Sequence, residues 1–371
     1  MRFGWVMAVV MASALMAHAA EKPTVAADGS GKFTTLQAAA DALPDTGGVI
    51  TMAPGTYREK VTIKQPNVRL IGLGKDPQDV LLVFDANAGS FGGTGRTATL
   101  TAIGDHFEMS NITVQNDWGV RNPSFDPNHN EGGQAVALML RGDMDIVENS
   151  RMLGQQDTLY AGGGGHCVPS APGWTQPAAG ANAVVPSAAK DTTPQLLRSG
   201  ACSPVRQFFK HCYIEGHIDF IFGDANAVFQ DCEIHAIHNP HEKDWLTAQS
   251  KDTPDRVSVY VFDHCRVTAD DGIGRLYLGR PWRPYGTVVY MNTKLDADVD
   301  PEGWDDWVHT PGSIKTAYFA EYRSSGRGAT TKGREPYSHQ LTKAEAEKFV
   351  PAKVLAGTDG WRPAGVIDNL K

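Results

Sequence analysis

The 371-residue chain carries no excess of positive charge, no C-x-x-C pair, few Asn-Gly or Asp-Gly dipeptides between apolar runs, and little helical periodicity before its C-terminus. Each absence excludes something. A net charge of −8 argues against nucleic acid as a partner, because that affinity comes from clustered Lys and Arg. It also gives no general attraction to a polyanion, which would need local cationic contacts. Without C-x-x-C, a zinc ribbon or a thioredoxin-type site is not expected. Without hairpin dipeptides, a β-sandwich is the weaker of the all-β alternatives. Long apolar runs are also missing, save one. Arg2 precedes an apolar stretch from Phe3 to about Ala17, and Ala17-His18-Ala19 has the small-x-small form of a cleavage site. The stretch is too short and wrongly flanked to span a membrane, and no cysteine stands near it to carry a lipid anchor. Residues 1–20 therefore read as a signal peptide, and the mature protein is expected to be secreted or periplasmic and a monomer. In such a compartment the five cysteines suggest two disulfides and one remaining thiol.

What is present is a repeat. Short apolar runs recur between turn residues, in a chain rich in Gly, Val, Ile and Thr. Phe209-Lys210-His211-Cys212-Tyr213-Ile214 is echoed by Phe229 to Ile234 and by Phe262 to Val267, with earlier relatives at Phe107 to Ile112 and Val147 to Met152. Each run has an aromatic or aliphatic residue, polar residues, a small residue, and an aliphatic five positions after the first. Ile214 to Ile234 is 20 residues; Leu70 to Ile112, at 42, reads as two such steps. Ile234 to Val267 (33) and Val267 to Leu295 (28) suit one coil plus a loop. A period near twenty built of short strands points to a solenoid whose coils share a core, best fitted by a right-handed parallel β-helix. Residues 21–371 are expected to form one such domain.

Residues 162–204, rich in Gly, Ala, Pro and Ser, interrupt the repeat as a long inserted loop would. Cys167 and Cys202 bracket that loop and would pin its base. Cys212, Cys232 and Cys265 hold one register position in successive coils. Coils about 4.8 Å apart suit the Cα separation of a disulfide. Cys212–Cys232 is the first expectation, leaving Cys265 free, with Cys232–Cys265 as the competitor. Leu341 to Phe349 reads as a short helix outside the solenoid, capped by Thr342 with Glu345 three residues on.

With the insertion looped out, Met152 and Ile214 become equivalent at an offset of 62 residues. Asp157 and Asp219 each lie five positions further on, on neighbouring coils at one level. Two carboxylates that close cannot both ionise cheaply, so one is pushed to hold a proton. An acid beside a carboxylate nucleophile is what acyl transfer to a carboxylate requires. Gln156 and Gln134 offer neutral amides for an oxyanion. Arg280 offers a bidentate partner that would orient Asp219 and keep it ionised. Tyr160, Phe222 and Trp282 offer flat apolar faces of the kind that pack on sugar rings.

At these residues the chain resembles the pectin methylesterases, or pectinesterases. The matching stretches are Asp28-Gly29-Ser30-Gly31-Lys32-Phe33, Gly55-Thr56-Tyr57-Arg58-Glu59, Gln134-Ala135-Val136-Ala137-Leu138, Gln156-Asp157-Thr158-Leu159-Tyr160, Asp219-Phe220-Ile221-Phe222-Gly223 and Leu278-Gly279-Arg280-Pro281-Trp282, in family order from about residue 22 to 362. The resemblance implies a right-handed parallel β-helix that hydrolyses galacturonate methyl esters in pectin (homogalacturonan) without a cofactor or metal. It also implies roles: Asp219 as nucleophile, Asp157 as acid and then base, Gln156 and Gln134 as oxyanion and positioning amides, Arg280 as partner of Asp219, and Tyr160, Phe222 and Trp282 as sugar contacts. The insertion after Tyr160 is the main departure from the family pattern.

Other signals carry less. His235, His238 and His241 are spaced three apart, but Ile234 to Pro240 reads as strand then turn, where that spacing does not gather ligands. Asp296, Asp298 and Asp300 resemble a calcium loop, but Pro301 stands where a glycine is required. Asn111-Ile112-Thr113 is a glycosylation sequon by pattern, in an expected strand. Cleavage of the glycosidic chain, ester chemistry on acyl thioesters, and non-catalytic binding are the competing readings. The amide beside Asp157 favours ester chemistry over the first. The survival of both aspartates and Arg280 argues against the last.

Overall fold

A computed structural model describes residues 24–123, 132–163, 205–238 and 242–367. The expected signal peptide, Cys167, Cys202 and all but the first two residues of the 162–204 insertion lie outside the described residues. The chain winds as a right-handed parallel β-helix of three sheets, with parallel pairing throughout the described strands. Among the described residues the first sheet has ten strands, from Gly48–Met52 to His339–Gln340. The second has eight, from Gly55–Arg58 to Lys294–Leu295. The third also has eight, from Val61–Ile63 to the short Arg280–Pro281.

Inward-facing positions stack in register from coil to coil. In the first sheet one such row runs Ile50, Leu70, Met109, Val147, Phe209, Phe229, Phe262, Tyr290. All are buried. The last four rings stack face to face at 4.6, 4.5 and 4.5 Å, so the coil spacing itself sets the ring separation. This register confirms the expected pairing of Met152 with Ile214, Ile214 with Ile234, Ile234 with Val267 and Val267 with Leu295. It corrects two early coils. Leu70 pairs with Met109, so Leu70 to Ile112 spans about one coil with a long loop, not two steps. The early relative is Met109 to Val114, shifted by two from Phe107 to Ile112. Ile112 misled because it is an aliphatic in the position that small residues occupy elsewhere.

That position follows a turn with its own signature. Asn111, Asn149, His211, Asp231, His264, Asn292 and Arg323 sit at φ between 45° and 59°, one per coil between the first and second sheets. Asn and Asp tolerate this left-handed region through local hydrogen bonds. Asn111 is thus in a turn, not a strand, and its amide donates to the carbonyls of Gly72 (3.0 Å) and Gly74 (2.7 Å).

The expected disulfide between Cys212 and Cys232, like its competitor, is not formed: Cys212, Cys232 and Cys265 are free, buried thiols. Equivalent positions in a parallel, in-register stack project their Cβ bonds side by side rather than towards each other, which is unfavourable for a disulfide. The sulfurs donate instead to carbonyls of the preceding coil: Cys212 to Val147 (3.4 Å), Cys232 to Phe209 (3.5 Å) and Cys265 to Phe229 (3.2 Å). They fill the small inward site that Ser150 and Thr293 fill in other coils.

At the N-terminal end the helix Leu36–Asp41, capped by Thr35, lays Leu36, Ala39 and Ala40 over the open core. At the other end the Thr342–Glu345 capping box starts a helix as expected, but it runs only over Lys343–Ala346. A second short helix, Pro351–Val354, follows. Val350 is extended ahead of Pro351, as a residue before proline must be, and this divides the two. Ala346, Val350, Val354 and Leu355 cover the outer face of the first sheet at Phe208, Val228, Val261 and Val289.

Candidate active site

The third sheet presents a second apolar cluster on its outer face. Leu159 and Ile221 pair and point into the core, whereas the next pair, Tyr160 and Phe222, points out. With Ala98, Val136, Met139, Ala248, Trp282 and Trp307 they make an apolar floor separate from the core. The rings of Tyr160 and Phe222 meet edge-on at 5.1 Å, and those of Phe222 and Trp282 at 6.0 Å. The three aromatic residues singled out from the sequence are therefore contiguous.

Asp157 and Asp219 stand at the edge of this floor. The 62-residue offset holds on both sides of them, at Met152–Ile214 and Leu159–Ile221. The Asp157 N–H donates to the Ile218 carbonyl (3.0 Å), tying the two aspartate segments together. Both aspartates have left-handed backbones, φ 63° and 50°. Sparsely populated conformations of this kind persist where the surroundings fix them. The turn is also crowded: a Cβ on Gly216, three residues before Asp219, would stand 2.3 Å from the Phe220 Cβ and 2.6 Å from the Gln155 carbonyl oxygen. Gly154 holds the equivalent place before Asp157, against the Thr158 side chain.

Arg280 forks onto Asp219, Nε donating to Oδ1 at 2.8 Å and Nη2 to Oδ2 at 2.7 Å. The two side chains are only 11% and 8% exposed, so this is a charge-assisted pair shielded from water. Asp157 is buried without such a fork. Burial first, and then the charge of Asp219, push its carboxyl well above the usual carboxylate range, with Arg280 opposing. The pair is thereby unequal: burial and the neighbouring charge favour the protonated form of Asp157, whereas Asp219 takes the guanidinium fork. Gln156 is half-buried, and its carbonyl accepts from Ala135 N–H (3.0 Å), which brings the Gln134 and Gln156 segments side by side.

Sequence reasoning missed two members of this site. The guanidinium carbon of Arg280 lies 3.6 Å from the ring centre of Trp245 and 4.4 Å from that of Trp307. The third-sheet strands are too short and too bulged to align by eye, the register slipping between Ile218 and Ile221. The available signal was Trp245 itself, an indole in the polar run Lys243–Gln249. The histidines set aside earlier have structural partners: the His235 ring bonds with Thr268 Oγ1 (2.8 Å) and Asp270 (3.2 Å). His241 lies outside the described residues. Among the described residues no group of three or more His, Cys, Asp or Glu is arranged to hold a metal ion, and no helix is long and apolar enough to cross a membrane.

Comparison with known proteins points to one family. The family model described as Pectinesterase matches residues 22–164 and 202–358, leaving 165–201 unmatched. Pectinesterase 2 of Citrus sinensis is 31% identical over 354 residues, covering 92% of this chain and 58% of that protein. Pectinesterase QRT1 of Arabidopsis thaliana is 30% identical over 345 residues, covering 90% and 77%. The chain thus spans little more than half the length of the first relative and about three quarters of the second. The solved structure of pectin methylesterase from carrot is similar with a TM-score of 0.72 at 29% identity, covering 92% of this chain and 96% of that one.

Proposed function

The chain belongs to the pectinesterase family, and we propose from that premise that it hydrolyses methyl esters of galacturonate residues in pectin, releasing methanol and free carboxylates. The observation that carries this reading is the division of labour between the aspartates. Asp219 is forked by Arg280 at 2.8 and 2.7 Å, while burial and the neighbouring charge push the Asp157 carboxyl well above the usual carboxylate range. An anionic nucleophile beside a neutral acid suits attack on an ester.

In this mechanism one Asp219 oxygen attacks the C6 carbonyl carbon. Each oxygen accepts one bond from Arg280 and keeps a further lone pair for the attack. The carbonyl electrons move onto oxygen, which the amides of Gln156 and Gln134 stabilise. Collapse breaks the bond to methoxide, and Asp157 gives it the proton, releasing methanol and leaving an anhydride on Asp219. Water then attacks the anhydride carbonyl while Asp157, now a carboxylate, takes its proton. Cleavage of the anhydride returns Asp219 as carboxylate and Asp157 as acid. Tyr160, Phe222 and Trp282 form the surface on which the sugar rings lie.

Methanol release from methylated pectin by the wild type and by Asp219→Asn tests the assignment. A normally folded Asp219→Asn enzyme with near-native turnover would overturn it, and loss of polymer length without methanol would point to glycosidic cleavage. Residues 1–20 are proposed as a leader removed on export, with 21–371 a single monomeric domain carrying the 162–204 insertion. An unprocessed N-terminus on the exported protein, or a dimer mass by light scattering, would count against these readings.

A further inference from the structure

Arg280 does more than pair with Asp219; it is itself held. Its guanidinium packs against the Trp245 ring at 3.6 Å and the Trp307 ring at 4.4 Å. Both indoles are tied to one short segment. The Asp305 Oδ2 accepts from Trp245 Nε1 at 3.1 Å and from Lys243 Nζ at 2.9 Å, so the carboxylate sets the edge of the ring. The Asp305 N–H donates to the carbonyl of Gly279, the residue before Arg280, at 3.1 Å. Two residues on, Trp307 is anchored by Asp306, whose Oδ1 accepts from the backbone N–H of Trp307 and of Ile314, both at 2.9 Å. Asp305 and Trp307 thus reach the same guanidinium from one turn, one through the Trp245 ring and one directly.

A guanidinium on a long side chain has many rotamers, and only a narrow set of planes lets Nε and Nη2 meet both oxygens of one carboxylate. Stacking on an aromatic face restricts that plane, and an indole is the strongest face available. We propose that Trp245, Trp307 and Asp305 are positioning residues of the ester-hydrolysing site, fixing the plane of Arg280 so that its fork holds the Asp219 carboxylate in line for attack. The proposal rests on the reading of Asp219 as nucleophile. It assigns Trp245 to the turnover step and not to sugar binding, because Trp245 touches Arg280 and hydrogen-bonds to Asp305, which leaves its ring face and its N–H both engaged, whereas Trp307 also borders the apolar floor.

The test compares Trp245→Leu, Trp245→Phe and Asp305→Asn with the wild type, using methanol release to separate kcat from KM and the ¹⁵N resonance of Arg280 Nε (assigned with Arg280→Lys) to follow the guanidinium. Trp245→Leu is expected to lower kcat about tenfold with KM within about twofold of wild type. Trp245→Phe, which keeps a ring face, should recover most of that loss. The Nε resonance should move from its ring-shifted position and its proton should exchange faster in the leucine variant. A rise in KM alone, or an unchanged kcat and unchanged Nε resonance, would make Trp245 a wall of the cleft and overturn the proposal. Should Trp245→Leu fail to fold, Trp245→Phe and Asp305→Asn decide it, since either must shift the Nε resonance. If the wild type releases no methanol, the esterase reading fails, while the Nε resonance still reports whether these residues set Arg280.

Discussion

Replacing Arg280 by Met removes the charge while keeping most of the stem. The structure specifies what is lost: two charge-assisted bonds of 2.8 and 2.7 Å, and the partner of a carboxylate that is 8% exposed. Removing one side of a buried pair costs about 3–5 kcal/mol, because the survivor remains buried and charged. Asp219→Asn should cost less, since the orphaned guanidinium still packs on two indoles. The double variant places a neutral amide beside a thioether and leaves no buried charge. Its destabilisation should therefore fall short of the sum of the two single changes by about 2–3 kcal/mol. Urea unfolding of the four proteins at one pH and low salt measures this coupling. A coupling below about 0.5 kcal/mol would mean that water solvates the pair in solution, and the case for a shielded nucleophile would collapse. Activity offers a parallel check: Arg280→Lys keeps the charge but loses the fork and the stack, so it should lose most of its turnover despite conserving charge.

Three further outcomes follow from the same geometry. Asp157→Asn should abolish methanol release yet stabilise the fold at neutral pH. The raised carboxyl binds its proton more tightly when folded, so its contribution is complete below the ordinary carboxylate range and is lost as pH rises through the raised value. The stability gap between variant and wild type should open over that window in pH-dependent unfolding, and a gap that closes with rising pH would contradict it. Gln156→Ala should lower turnover by about 10²–10³ with the fold intact, and a change confined to KM would remove it from the oxyanion role. Cys212, Cys232 and Cys265 should resist a thiol reagent in the native protein and all react in denaturant without prior reduction. Two fewer free thiols by mass spectrometry would restore a disulfide among them.

How much of this was legible in the sequence depended on the length of the local signal. The coil register from Val147 onward could be read because a ring or aliphatic, a turn residue and a small residue recur at fixed offsets over two consecutive strands. The left-handed turn residue was not recognised as the organising element, although Asn, Asp or His fills most of those places. Had it been, Asn111 would have set the early coils and kept Ile112 from being mistaken for the closing aliphatic. The cysteines show a different limit. Sequence proximity in the repeat established that they stack, but whether stacked side chains converge depends on the direction of the Cβ bonds, which a parallel ladder keeps side by side.

The aspartate pair was legible for a reason that its support was not. Asp157 and Asp219 are related by the repeat, so aligning Met152 with Ile214 brings them together whatever lies between. Arg280 belongs to no such relation in the sequence. It was found by chemistry, because an anionic nucleophile needs a cation, and by family likeness. Trp245, Trp307 and Asp305 answer to neither: they reach the guanidinium from a strand whose pairing is bulged and from an irregular segment after Trp304. Residues that act on a catalytic group through one intermediate contact are therefore visible only once the coils are stacked. That is why the plane of one arginine is the feature on which structure adds most to what the sequence says of this site.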